Sequence, residues 1–263
     1  MRPLVAVRRA APFDPSFIGR DSLLWPLTAA AAALGPHDDF PPVEALHRVF
    51  RGDPPIRFVD AAPRRRRRSP VDAHALYDAR ITLYREVPTR AQCWHDLMNA
   101  LVWGTFPRAK RALHERQHEA IRARIEPGAR TLPPRRSSEL DALALLDEGG
   151  LLVLSRDVTA VNATLRGDRS AFRLALGEGS ARIVVFGHAI HESLVLGVPP
   201  AVVAAVVLPA GVEDDSDALL LKIADDRLAE WLANPANAAT PRELARVDLA
   251  DVRGGKGAAP ENV

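Results

Sequence analysis

At 263 residues, 47% apolar and 26% charged, the chain has the composition of a globular protein and enough length to bury a sizeable core, which excludes a disordered or fibrous chain. Its formal net charge of +2 conceals an asymmetry: residues 1–140 carry 24 Lys+Arg against 15 Asp+Glu, whereas residues 141–263 carry 11 against 18. Such a layout points either to an internal electrostatic match or to a basic face for an anionic partner.

Taken in chain order, residues 1–70 are dense in proline, and only short helices fit between the breaks. One is expected over Ser22–Leu34, ended by Gly35-Pro36, and another over Val43–Phe50, ended by Gly52. The run Arg64–Arg68 followed by Ser69-Pro70 reads as a solvated loop, because like charges in a block repel. Thr89 with Gln92 three residues on predicts a capping box, and with it a helix over Arg90–Trp103 that stops at Gly104. Pro107 suits the first turn of a second helix reaching about Ile125, and the short link predicts an antiparallel or sharply angled helix pair. Beyond Arg136 the period changes. Ala142–Leu146, Asp147-Glu148-Gly149-Gly150 and Leu151–Ser155 read as a β-hairpin, with a helix over Leu140–Leu146 as the competing reading. Short helices are expected at Asp157–Leu165 and Ser170–Leu176, strands at Arg182–Phe186, Val202–Leu208 and Ala218–Ile223, and helices at Gly187–Leu196 and Asp225–Leu232. The tail 254–263 is expected to be disordered. The fold class that emerges is α+β: a helix pair packed with a small, mostly antiparallel sheet and further short helices.

The single cysteine, Cys93, forms no intrachain disulfide and fits a reducing compartment; its place beside Trp94 inside a helix predicts a buried, inert thiol. The two longest apolar runs, Leu27–Leu34 and Ala201–Leu208, fall far short of the roughly 20 residues that span a bilayer. A soluble, cytoplasmic protein is therefore expected.

Two segments carry candidate chemistry. At about 100° per residue, Trp94, Leu97, Met98, Leu101 and Val102 form the core face of the first helix, leaving His95, Asp96, Asn99 and Trp103 on the other side. A tryptophan among His, Asp and Asn predicts that this face too is covered, by a ligand or by a buried hydrogen-bond network. The second segment is FGHAIHE, Phe186–Glu192, in which His188, His191 and Glu192 project from the start of one helix. Imidazole and carboxylate at this spacing suit zinc, iron or manganese, although the order is not that of HExxH; a His–Glu pair that merely fixes the helix start is the alternative. Asp147-Glu148 is expected at a solvated hairpin tip. The second helix carries Arg108, Lys110, Arg111, His114, Arg116, His118, Arg122 and Arg124, a basic surface of the kind that meets phosphates, interleaved with Glu115 and Glu119.

The stretches Tyr77–Gln117, Leu143–Ser155 and Phe186–Glu192 carry the patterns WHDxxNALVW, FPRxKxAL and FGHAxxE. In these the chain resembles a bacterial family of uncharacterised proteins defined by domain of unknown function 3025. The resemblance covers roughly Val71 to Val252. It implies a family domain over 71–252, with 1–70 as a Pro-rich variable extension packed on or flanking it, and 253–263 as a tail. It implies no activity, but its motif positions fall on Trp94, His95, Asp96, Asn99, Ala100, Trp103, Pro107, Lys110, Gly187, His188 and Glu192, and leave His191 at a variable position. The candidate catalytic set is therefore His95, Asp96, His188 and Glu192, with His95, His188 and Glu192 as candidate ligands of a divalent metal. Asn99, Trp103, Arg108 and Lys110 are the candidates for holding an anionic substrate. Hydrolysis is the simplest reaction for such a site. The alternative is a non-catalytic protein that docks nucleic acid or an acidic protein on helix 108–124.

Overall fold

The computed structural model describes residues 11–61, 76–126, 135–211 and 216–253; the Arg64–Arg68 run and the tail 254–263 lie outside the described residues. Helices α1 to α9 span Thr28–Leu34, Tyr77–Tyr84, Trp94–Thr105, Pro107–Arg122, Ser138–Gly149, Val158–Gly167, Arg169–Gly177, His188–Val195 and Asp217–Ala233. Strands β1 to β6 span Arg57–Asp60, Glu86–Thr89, Gly150–Ser155, Ala181–Val185, Val202–Pro209 and Ala245–Asp248. No helix among them is long and apolar enough to cross a membrane. The fold is α+β.

The main sheet has the order β4-β3-β5-β6. β3 pairs antiparallel with β4 (Leu151↔Val185) and parallel with β5 (Gly150↔Ala204), and β5 pairs antiparallel with β6 (Ala205↔Ala245). Every residue of β3 is buried, as its unbroken apolar run Leu151–Leu154 requires of a central strand covered on both faces. A separate parallel ladder joins β1 to β2, with Phe58↔Val87 in register.

α3 is the central helix. Its Trp94 sits in an aromatic nest with Phe13, Phe17 and Phe40, ring centroids 5.0 to 5.5 Å away, so the proline-rich start packs on the same core as the rest of the chain. Within that start, Ser22–Leu27 is a 3₁₀ turn capped by Asp21 that runs into α1, and Val43–Val49 is a second 3₁₀ segment.

Three sequence-based expectations are overturned. Thr89 does not cap α3: it ends β2, where Ala61 N–H bonds to its carbonyl at 2.8 Å and its hydroxyl donates to the Val87 carbonyl at 2.9 Å. The chain then turns through Gln92, at φ 51°, and α3 starts at Trp94. Asp96 holds that turn, accepting from the Arg90 backbone N–H at 2.6 Å and gripping the Arg90 guanidinium at 2.6 and 3.0 Å. Nor is there a hairpin over 142–155. Ser137 caps α5, which runs directly into β3; the helix reading prevails because β3 finds its partners in β4 and β5 rather than in the segment before it. Residues 218–223 belong to α9, where Leu220, Ala224, Leu228 and Leu232 are buried at the four-residue spacing of a helix.

α9 also caps α4. Pro107 has no N–H to leave unpaired, and Asp225 accepts from the next two, Arg108 N at 3.2 Å and Ala109 N at 2.8 Å. Burial pushes the Asp225 carboxyl up to about 6. A carboxyl raised in the fold binds a proton that the unfolded chain does not. Its contribution is therefore fully present below the ordinary value of 3.8 and is lost as pH rises through about 6. In urea titrations, wild type should lose at most about 3 kcal/mol relative to Asp225→Asn between pH 4 and pH 7. A constant difference across that range would show that Asp225 titrates normally.

Candidate metal centre

Three elements meet beside the start of β3: the polar face of α3, the last turn of α5 and the first turn of α8. The closeness of the last two is set by Gly187. Phe186 N and Gly187 N both donate to the Gly150 carbonyl, at 3.0 and 2.9 Å, and a Cβ on Gly187 would lie 2.5 Å from Glu148 O and Gly150 N. Only glycine lets α8 begin against the α5–β3 corner.

His188 follows at once. Its Nδ1 donates to the Asp147 backbone carbonyl at 2.8 Å, and its Nε2 lies 3.1 Å from His95 Nε2 and 3.5 Å from a Glu148 carboxylate oxygen. His95 Nδ1 donates to Glu192 Oε2 at 3.1 Å; Glu192 sits one turn after His188 on α8. His95, Glu148 and His188 each offer a ligand atom, and the three atoms lie within 4.8 Å of one another. The inner side of the cluster is closed, with the His188 and Glu192 side chains 4% and 2% exposed. The outer side is open, with His95 27% and Glu148 50% exposed.

The hydrogen bonds fix the tautomers. A carbonyl and a carboxylate oxygen both accept, so both Nδ1 atoms carry the protons and the Nε2 lone pairs face each other. Two lone pairs 3.1 Å apart repel unless a cation, either a proton or a metal ion, lies between them. Two imidazole nitrogens bound to one zinc at about 2.0–2.1 Å and a near-tetrahedral angle stand about 3.3 Å apart, close to the separation seen.

Electrostatics divides the two histidines. Burial, with the nearby Lys110 and His95 charges, holds His188 well below its ordinary value and keeps it neutral. Burial also lowers His95, but the carboxylates of Glu192, Glu148 and Asp96 outweigh it and the net direction is up. Glu148 is pushed up, by burial first and by Asp147 and Glu192 next.

The chain belongs to the DUF3025 family. The family described as protein of unknown function (DUF3025) matches residues 56–262, a span that holds all the residues of the cluster. Neither a curated protein nor a solved structure matches the chain.

Of the residues singled out in this DUF3025 protein by sequence, His95, His188 and Glu192 come together. Asp96 does not join them; it is committed to Arg90. Asn99 donates to the Tyr77 hydroxyl at 3.2 Å, and the fully buried Trp103 stacks on His114 with centroids 5.5 Å apart. Lys110 is buried against Asp147 at 2.5 Å, and the exposed Arg108 pairs with Asp226. The residues of α4 read as a basic surface are divided: His114 is buried against Asp78 and Arg116 spans Glu139 and the carbonyls of Leu232, Asn234 and Pro235, whereas Arg108, Arg111 and Arg122 are exposed. Cys93 is half-buried, and burial pushes its thiol up, which keeps it protonated. His191 is fully buried, burial pushes its imidazole down to about 3, and neither ring nitrogen has a partner among the described residues.

The residue that sequence reasoning missed is Glu148, together with its neighbour Asp147. The Asp-Glu-Gly-Gly spelling of a turn masked the signal. Extending the competing helix by one turn sets Glu148 at its end, beside the strand.

Proposed function

We propose that His95, His188 and Glu148 bind one divalent cation and that the protein uses it in hydrolysis. The observation that carries this reading is the pair of Nε2 atoms facing each other at 3.1 Å, each ring held by a bond from its own Nδ1, with a carboxylate oxygen 3.5 Å from one of them. Two imidazoles and one carboxylate are a ligand set for zinc or non-haem iron that leaves coordination positions open to water and substrate. A cation held there supplies Lewis acidity. The protein's own share is orientation. The Asp147 carbonyl and Glu192 hold the two rings, and the half-exposed Glu148 closes the set at the solvent side. Notably, Glu192 orients a ligand in this reading and is not one itself. The cytoplasm is the location proposed, in keeping with a single protonated cysteine.

The test is metal content and affinity. Purified wild type should take up one equivalent of Zn²⁺, Mn²⁺ or Fe²⁺ in calorimetric titration, and His95→Ala and His188→Ala should not, while their melting temperatures stay within a few degrees of wild type. Turnover of activated esters or phosphoesters by the loaded protein should vanish with a chelator. If wild type binds none of the three ions, a proton bridges the rings and the metal reading fails. If both variants unfold, the cluster is structural.

A further inference from the structure

Residues 141–263 are acidic overall, with 11 Lys+Arg against 18 Asp+Glu, yet a groove of about 620 Å³ whose lining comes wholly from this half holds three arginines and no acidic residue. It runs from the last turn of α5 to β6. Leu145 and Val202, each 42% exposed, give it apolar surface, over the buried Leu165 and Leu244. Arg166 is held by the Glu243 carbonyl at 2.7 Å; the side chains of Arg242 and Arg246 make no hydrogen bond or ion pair among the described residues. Lone guanidiniums on a polar surface are ordinary solvated charges. Set around apolar surface they ask for two things at once: an apolar body to cover that surface and an anion for the N–H groups. Two unpaired guanidiniums offer more donors than the single edge of a carboxylate accepts, whereas a phosphate monoester brings three terminal oxygens and nearly two charges. We propose that this groove binds an amphiphilic phosphate monoester, its alkyl or acyl chain over Leu145 and Val202 and its phosphate on Arg242 and Arg246. The groove uses the Leu145 and Gly149 side of α5, whereas Glu148 turns to the histidines, so this inference is independent of the metal centre.

The experiment is calorimetric titration of the full chain with octyl phosphate below its micellar concentration, alongside octyl glucoside, octanoate and inorganic phosphate. Octyl phosphate should bind at one site with Kd below about 100 µM and at least about 10-fold more tightly than each of the others. Arg242→Gln with Arg246→Gln should weaken it at least about 10-fold at an unchanged melting temperature. Leu145→Glu should weaken it similarly, and His188→Ala should leave it unaltered. Equal binding of octyl glucoside, octanoate or inorganic phosphate overturns the assignment, as does undiminished binding by the double arginine variant. Loss of binding in His188→Ala would move the ligand to the histidine cluster and overturn it equally.

Discussion

Glu148→Gln is expected to weaken divalent-metal binding by more than about 100-fold, and Glu192→Gln by about 10- to 100-fold. The two carboxylates flank the same histidine pair but do different work. Glu148 faces the Nε2 side of His188, where an amide oxygen replaces a charged ligand with a much poorer one. Glu192 accepts from the far nitrogen of His95, and Gln keeps an oxygen there that still accepts the Nδ1–H, so the ring holds its tautomer but loses the charge that makes it a stronger donor. Glu148 is half-exposed and its loss should leave the melting temperature unchanged, whereas Glu192 is 2% exposed and Glu192→Gln should shift it. Calorimetric titration with Zn²⁺ and thermal unfolding of both variants check the order. A larger loss of affinity in Glu192→Gln than in Glu148→Gln would return Glu192 to the ligand set and remove Glu148 from it.

How much of this was legible in the sequence depends on how far away each residue's partner lies. The apolar arc of α3, the strand β4 and the helix α8 after Gly187 were readable because each is written in local periodicity and one glycine. The failures share a cause. Thr89 and Gln92 spell a cap, but pairing of β2 with β1, nearly thirty residues earlier, takes Thr89 into a strand. Asp147-Glu148-Gly149-Gly150 spells a turn, yet its residues answer to Lys110, His95 and His188, none of them local. Helix α4 spells a basic surface, and only the positions of Asp147 and Glu139 show that part of that charge, on Lys110 and Arg116, is spent inside the molecule. Lys110–Asp147 and Arg108–Asp226 join the positive first half to the negative second half, the first of the two meanings the charge asymmetry offered. The histidine cluster was half legible: its residue types were evident, but its third ligand, Glu148, was hidden because periodicity reports which face is buried, not what lies across from it.

The Lys110–Asp147 pair shows what that internal use costs, and Lys110→Met is expected to destabilise the protein by about 3–5 kcal/mol. The Lys110 side chain is 0% exposed, with Nζ 2.5 Å from Asp147 and 5.7 Å from the centre of the Trp103 ring. Burial pushes the Asp147 carboxyl up, but the Lys110 ammonium bonded to it more than reverses this and holds it well below the ordinary carboxylate range. Methionine fills much of the same volume, so the loss it causes is not mainly a cavity. It leaves Asp147 as a buried anion without its counter-charge, beside a His188 that burial keeps neutral. Adding Asp147→Asn to Lys110→Met should recover at least half of the loss, because the second change removes the stranded charge; urea midpoints of the two single variants and the double measure this coupling directly. The double variant should also keep its metal affinity to within about 10-fold, since the group that orients His188 is the Asp147 backbone carbonyl, which neither substitution removes. A Lys110→Met variant within about 1 kcal/mol of wild type would mean that the pair is solvated rather than buried. A stable double variant without metal affinity would mean that the Asp147 carboxylate, and not its carbonyl, sets the ring of His188.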